Sequence, residues 1–222
     1  DKELDNTMIK PTKLFSANAC IGYSSNMPPE FENAGELLKH MDRLGIEKAL
    51  VWHAAARDFD PLWGNRKLSE DIKNEPGAVG RLIPAFTILP TLLYKESAID
   101  ELREMLKRDN VKAIRVFTNS GGSKRFTLQQ FDPLIGYIED FNPVILLDIK
   151  EGFSADDLIN LADKYSHIKF ILTNAMWGHL YTIFDRMRRR DNILLETSWI
   201  HVMGTIEYVV KKYGPERIVY GF

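Results

Sequence analysis

Eight side chains of types that do chemistry stand within or just past short apolar runs of this sequence: Asn18, Cys20, His53, Arg115, Asp148, Asn174, Glu196 and His201. Asp148 and His201 could exchange protons with a bound molecule, so they are the expected catalytic pair. Arg115 interrupts the apolar run Val111–Phe117, and a charge there needs a partner or a pocket. Its planar fork would suit a substrate carboxylate; a salt bridge to Asp148 or Glu196 is the competing reading. Cys20 could serve as a nucleophile if His201 lowered its pKa. A free cysteine is more often a small buried apolar residue, and that reading is preferred here. Asn18, Cys20, His53, Arg115, Asn174 and Glu196 are assigned to substrate binding. For His53, beside Ala54-Ala55-Ala56, ordinary packing competes with that role. Asp148-x-Lys150-Glu151 could add acid/base groups, although charged loop residues are usually just solvated.

Eight apolar runs must position these groups: 13–19, 47–53, 81–87, 111–117, 143–148, 168–174, 193–198 and 216–222. In the first, Phe15, Ala17, Ala19 and Ile21 alternate with Ser16, Asn18, Cys20 and Gly22, the period of a strand with two faces. Most gaps hold a segment of helical period. Asn33-x-x-Glu36 reads as a capping box before Leu37, Leu38, Met41 and Leu44, and Gly45 ends that helix. Further helices are expected over Asn65–Asn74, from a Ser97 cap, from Asp132-Pro133, from Ser154, around Leu180–Met187, and from Thr205 with Ile206, Val209 and Val210 inward. Alternating strands and helices predict an α/β fold with parallel strands. Eight repeats of that unit predict a (β/α)8 TIM barrel, with an arm at 1–11 and a single barrel domain at 12–222. A doubly wound sheet fits less well, because no Gly-rich phosphate turn follows the first strand. The last run closes the sequence, so an eighth helix is not in the chain. The expectation is either an incomplete barrel, whose uncovered wall would take a partner, or a natural chain that continues.

Composition narrows the classes. The net charge is −2, so no general field draws nucleic acid or an anionic membrane. One cysteine excludes an internal disulfide framework and fits a reducing, cytoplasmic setting. No apolar run reaches the roughly 20 residues of a membrane span. Arg186, Arg188, Arg189 and Arg190 suit a helix C-terminus on a solvated face. Asn119-Ser-Gly-Gly-Ser-Lys-Arg125 fits no phosphate-loop spacing and reads as a loop. Trp52, Trp63, Trp177 and Trp199 could wall a pocket, with core packing the alternative for at least two.

From Leu14 onward the sequence resembles the amidohydrolase-related TIM-barrel family, whose members include aminocarboxymuconate-semialdehyde and resorcylate decarboxylases and lactone hydrolases. The resemblance rests on Leu14–Gly22, on Glu36-Leu-Leu-Lys-His-Met-Asp-Arg-Leu-Gly-Ile-Glu-Lys-Ala-Leu50, on Val111–Phe117 and on Gly214–Gly221. In that family the first strand carries Asp-x-His-x-His, whose histidines hold a divalent metal. Here Ser16 stands at the Asp, and Asn18 and Cys20 stand at the histidines. Asn174 stands at a further His ligand, and Leu147 and Asp148 lie where many relatives place a strand-five His. His201 falls where decarboxylase relatives carry a catalytic His. The family's metal-binding Asp lies beyond Phe222.

The resemblance therefore implies a hydrolase or decarboxylase acting on a small carboxylated or cyclic molecule. The donors present fall short of a divalent site, so no metal and no other cofactor is expected. The alternative is a non-catalytic barrel that kept the pocket. A small-molecule substrate is the expected partner, without nucleic acid or membrane, and a homo-oligomer is left open.

Overall fold

The computed structural model describes residues 13–25, 27–120, 124–150 and 154–221. The arm Asp1–Pro11, the loop residues Gly121-Gly122-Ser123, Glu151 and Phe222 lie outside them. Eight parallel strands run in sequential order: β1 (Leu14–Ile21), β2 (Ile46–His53), β3 (Leu82–Ile88), β4 (Ala113–Phe117), β5 (Val144–Asp148), β6 (Lys169–Thr173), β7 (Ile193–Glu196) and β8 (Ile218–Val219). Each β-to-β pairing along the series is parallel, and the Ala17 amide donates to the Tyr220 carbonyl at 2.9 Å across the seam between last and first strands. With helices between the strands, this is the expected (β/α)8 barrel.

The helices are α1 (Ala34–Leu44), α2 (Ala54–Asp58), α3 (Pro61–Asn74), α4 (Glu96–Arg108), α5 (Asp132–Ile138), α6 (Ala155–Lys164), α7 (Leu180–Arg189) and α8 (Thr205–Tyr213). Asn33 caps α1 through the Glu36 amide, while the Glu36 carboxylate reaches Glu32 N rather than Asn33 N. Gly45 ends α1 at φ 70°, a conformation that favours glycine. Four details correct the sequence reading. The short α2 was not anticipated. α3 begins four residues early, where Asp60 caps the Trp63 amide at 2.7 Å and Pro61 takes the first turn. α4 begins at Glu96, and neither Ser97 nor any other side chain caps it. In α8 only Val209 of the three expected apolar residues is buried, and Ile206 is 46% exposed.

Strand alternation sorts side chains into two apolar layers. Ile114 and Val116, Ile145 and Leu147, and Phe170 and Leu172 face the helices in the large outer core. Ala113 and Phe117, Leu146, Ile171 and Trp52 fill the barrel interior. By the same period of two, Arg115 lies on the inner side of β4 between Ala113 and Phe117, and Asp148 follows Leu146 on the inner side of β5. β1 departs from strict alternation. Its register to β2 shifts between Ser16 and Ala19, a bulge. Ala17 packs in the interior although Ala19 and Ile21 pack outward, and Asn18 is freed to reach the barrel mouth.

Candidate active site at the barrel mouth

At the C-terminal ends of the strands, four of the expected residues join one hydrogen-bonded chain. Asn18 Nδ2 lies 3.2 Å from Asn174 Oδ1, 3.2 Å from Glu196 Oε2 and 3.3 Å from Ser198 Oγ. Asn174 Nδ2 donates to Asp148 Oδ2. The amide orientations follow from chemistry: a carboxylate only accepts, so each Nδ2 must face one. Asn174 has the backbone parity of the outward-facing Phe170 and Leu172. It sits at φ 57°, a left-handed conformation uncommon outside glycine, and that turn brings its amide into the mouth.

Arg115 lies beneath this chain, only 1% exposed. Its one polar contact is long, Nη2 to Asp148 Oδ2 at 3.5 Å, and its Nε and Nη1 have no hydrogen-bond partner. Its guanidinium carbon stands 5.6 Å from the Trp52 ring centre and 5.2 Å from that of Phe117. Arg57, from α2, stands at 5.2 Å and 5.4 Å from the same two rings. Burial pulls the Arg115 guanidinium below the ordinary arginine value, opposed by Asp148 and Glu196. A buried cation with two unused donors presents an anion seat, and the fork geometry matches a carboxylate.

Asn18, Arg57, Arg115, Asp148 and Asn174 line a cavity of about 280 Å³, walled also by Cys20, Trp52, Lys150, Ser198 and Trp199. Over it, Ser24 Oγ and Ser25 N both donate to Asp58 Oδ2 at 2.9 Å, which ties the segment after β1 to α2. Lys150 Nζ sits 4.6 Å from the Trp199 ring centre. Cys20 lines the cavity as a thiol: burial pushes its pKa up to about 12, so the nucleophilic thiolate is scarce at neutral pH.

Two expected site residues lie elsewhere. His53 shares the parity of Ala49 and Val51, so its ring faces away from the barrel interior. It borders a separate hollow of about 540 Å³ with Tyr23, Phe59, Trp63 and Asp71. There Nδ1 accepts the Ala55 amide at 3.1 Å, and burial holds the imidazole pKa below its usual value. His201 is exposed past β7, its ring 5.9 Å from Trp199, outside the amide–carboxylate chain. Among the cavity residues that escaped the sequence reading are Arg57, because its helix was not anticipated, and Ser198. The signal for Ser198 was present, since residues two apart at a strand end share a side.

The donors also bear on the metal that such barrels often carry. Asn18 and Asn174 turn N–H groups, not lone pairs, toward Glu196 and Asp148, and the Arg115 cation lies beside them. Among the described residues no three His, Cys, Asp or Glu side chains converge as a metal-holding group. The residues present do not fit a divalent ion.

Comparison with known proteins agrees with this architecture. The amidohydrolase family model matches residues 22–221. A Pseudomonas putida protein assigned as a 2-pyrone-4,6-dicarboxylic acid hydrolase superposes with a TM-score of 0.64 at 16% identity, over 94% of this chain and 81% of that one. 4-Oxalomesaconate hydratase from Rhodopseudomonas palustris gives 0.55 at 14% identity over 84% and 65%. Dihydroorotase from Saccharomyces cerevisiae gives 0.54 at 11% over 85% and 56%. The search of curated proteins found no match. No helix among the described residues is long and apolar enough to cross a membrane. With eight sequential parallel strands, a site at their C-terminal ends and a family match across almost all its length, the chain belongs to the amidohydrolase family.

Proposed function

We propose that this protein is a hydrolase or decarboxylase of small carboxylated molecules that works without a divalent metal. The observation that carries the reading is Arg115: a fully buried guanidinium with Nε and Nη1 unpartnered at the bottom of a cavity. A charge buried without partners is costly unless a ligand supplies them. A substrate carboxylate would do so, with Arg57 and the indole of Trp52 flanking it. Asp148 lines the same cavity and is oriented by Asn174 and by the Lys150 amide at 3.1 Å, which suits it to proton transfer. His201, against Trp199 at the rim, is the second acid/base group of this proposal. Two of the similar structures are named for reactions of di- or tricarboxylic molecules, which is the same substrate class.

The test is turnover of a panel of carboxylated lactones, esters and aryl carboxylic acids, measured with elemental analysis of the same sample. Turnover that survives chelation, in protein holding well under one equivalent of zinc, manganese or iron, supports the proposal. Stoichiometric metal whose removal abolishes turnover would refute metal-free catalysis.

A further inference from the structure

On the metal-free reading proposed above, the reaction needs another source of nucleophile, and the mouth contains an unassigned candidate. Glu196 is wholly buried, and its two carboxylate oxygens are engaged chiefly by one residue. The Ser198 amide donates to Oε1, and the Ser198 hydroxyl donates to Oε2 at 2.8 Å. On the other side the chain closes tightly: a Cβ added at Gly221 would lie 1.9 Å from Glu196 Oε1. Glu196 is not part of the cavity lining, whereas Ser198 is. The carboxylate therefore communicates with a bound molecule through the serine hydroxyl. Asn18 Nδ2, shared between Glu196 Oε2 and Ser198 Oγ, holds the two in register.

We propose that Ser198 is a nucleophile and Glu196 its general base, forming an acyl-enzyme with carboxylated esters or lactones. This rests on the hydrolase reading above and deepens it. In the first step the Ser198 Oγ–carbon bond forms as its proton passes to Glu196 Oε2. The bond to the leaving oxygen breaks, and that oxygen takes the proton from Glu196. In the second step water attacks the acyl carbon, gives one proton to Glu196, and Ser198 leaves and is reprotonated. No oxidant, reductant or metal enters the balance. Glu196 in this role resembles a base oriented by its neighbours, with the nucleophile already in hydrogen-bond reach. Cys20, a further nucleophilic residue on the cavity wall, is held as a thiol by burial.

The experiment uses the whole chain and p-nitrophenyl hemisuccinate, an activated ester whose free carboxylate suits Arg115. Rapid-quench intact-mass and peptide mapping read the adduct, and released nitrophenolate reads turnover. The expected result is a succinyl group on the peptide carrying Ser198, a nitrophenolate burst close to one equivalent, no adduct in Ser198→Ala, and acylation slowed about 10²–10⁴-fold in Glu196→Gln, the usual worth of general-base catalysis. Far-ultraviolet circular dichroism confirms that both variants fold. An adduct on Cys20 or a lysine overturns the proposal. Turnover without adduct, equal in Ser198→Ala, overturns it while leaving the hydrolase reading intact; neither adduct nor turnover overturns it as well, and the wider substrate panel alone then decides the reading it rests on.

Discussion

Two buried arginines of this barrel differ in how their charge is met. Arg217, at the start of the last strand, is 6% exposed. Its guanidinium donates to the carbonyls of Ile193, Met187 and Arg190 at 2.6–3.0 Å and reaches Asp191 at 3.2 Å. Arg115, midway along β4 and reaching toward Asp148 at the opposite end of the strands, has one contact at 3.5 Å and two idle nitrogens. Both charges are removed from water, but only one is repaid by the protein. A saturated arginine ties elements together; an unsaturated one reserves its donors for something that arrives later. The same difference separates a structural end of the barrel from a chemical one.

The comparison breaks most visibly in stability. Arg217→Met should cost about 3–5 kcal/mol in urea unfolding, because several carbonyls and Asp191 lose a charged donor together. Arg115→Met should stay within about 1 kcal/mol of the parent, because Asp148 keeps the Asn174 amide and the Lys150 N–H. It should nonetheless weaken a carboxylate ligand by roughly 10- to 150-fold, the worth of a charged hydrogen bond. Equal destabilisation by the two variants would make Arg115 structural as well.

A smaller effect sharpens the same contrast. Asn174→Ala places a Cβ-bearing residue without a compensating amide at φ 57° and should cost about 1–2 kcal/mol. Asn174→Gly should recover most of that stability, since glycine accepts the angle. Neither can hold Asp148, so both should weaken carboxylate binding at Arg115 alike, measured by calorimetric titration. Tight binding by the glycine variant would show that Asn174 serves the backbone alone.

The smallest expected effect involves pH. Burial lowers the folded-state pKa of His53, opposed by Asp71 at 3.8 Å and reinforced by Lys67. Between that lowered value and the unfolded value near 6.5, the unfolded chain binds the additional proton. His53 therefore contributes stability above about pH 6.5 that is lost as pH falls below it. His53→Gln should flatten the decline in unfolding free energy between pH 7 and 5, with carboxylate binding at pH 8 unchanged because His53 borders the other hollow. A binding loss at pH 8 would place His53 in the active site after all.

Most of the fold was legible because strand spacing, caps and glycine stops are local signals. The eight runs, Asn33 and Gly45 performed as read. The site was legible where parity is simple: Arg115 and Asp148 alternate with the apolar interior residues Ala113, Phe117 and Leu146, so the sequence alone turns them inward. His53 could have been placed correctly by the same count, since it falls with Ala49 and Val51. Asn18 and Asn174 could not, because a bulge and a left-handed residue shift their parity, and both depend on neighbours far along the chain. Ala17, read on one face with Ala19 and Ile21, packs inside while they pack outward, for the same reason. Arg57 was hidden by its five-residue helix, too short to show a period. Ser97 failed as a cap because the helix begins one residue before it.

The hydrogen bond from Ala17 to Tyr220 has a consequence for how the molecule is made. It joins two residues from nearly opposite ends of the described chain, so forming it closes almost the largest loop this chain allows. Such a contact is entropically expensive early and offers little reward until the intervening strands are in place. The two edges of the sheet are therefore expected to meet late in assembly. The amide–carboxylate chain at the mouth crosses that seam, since Asn18 on the first edge meets Glu196 one strand from the other. The residues proposed to do the chemistry thus depend on that long-range contact, and the proposed activity is expected to arrive with closure, not with the formation of any single unit.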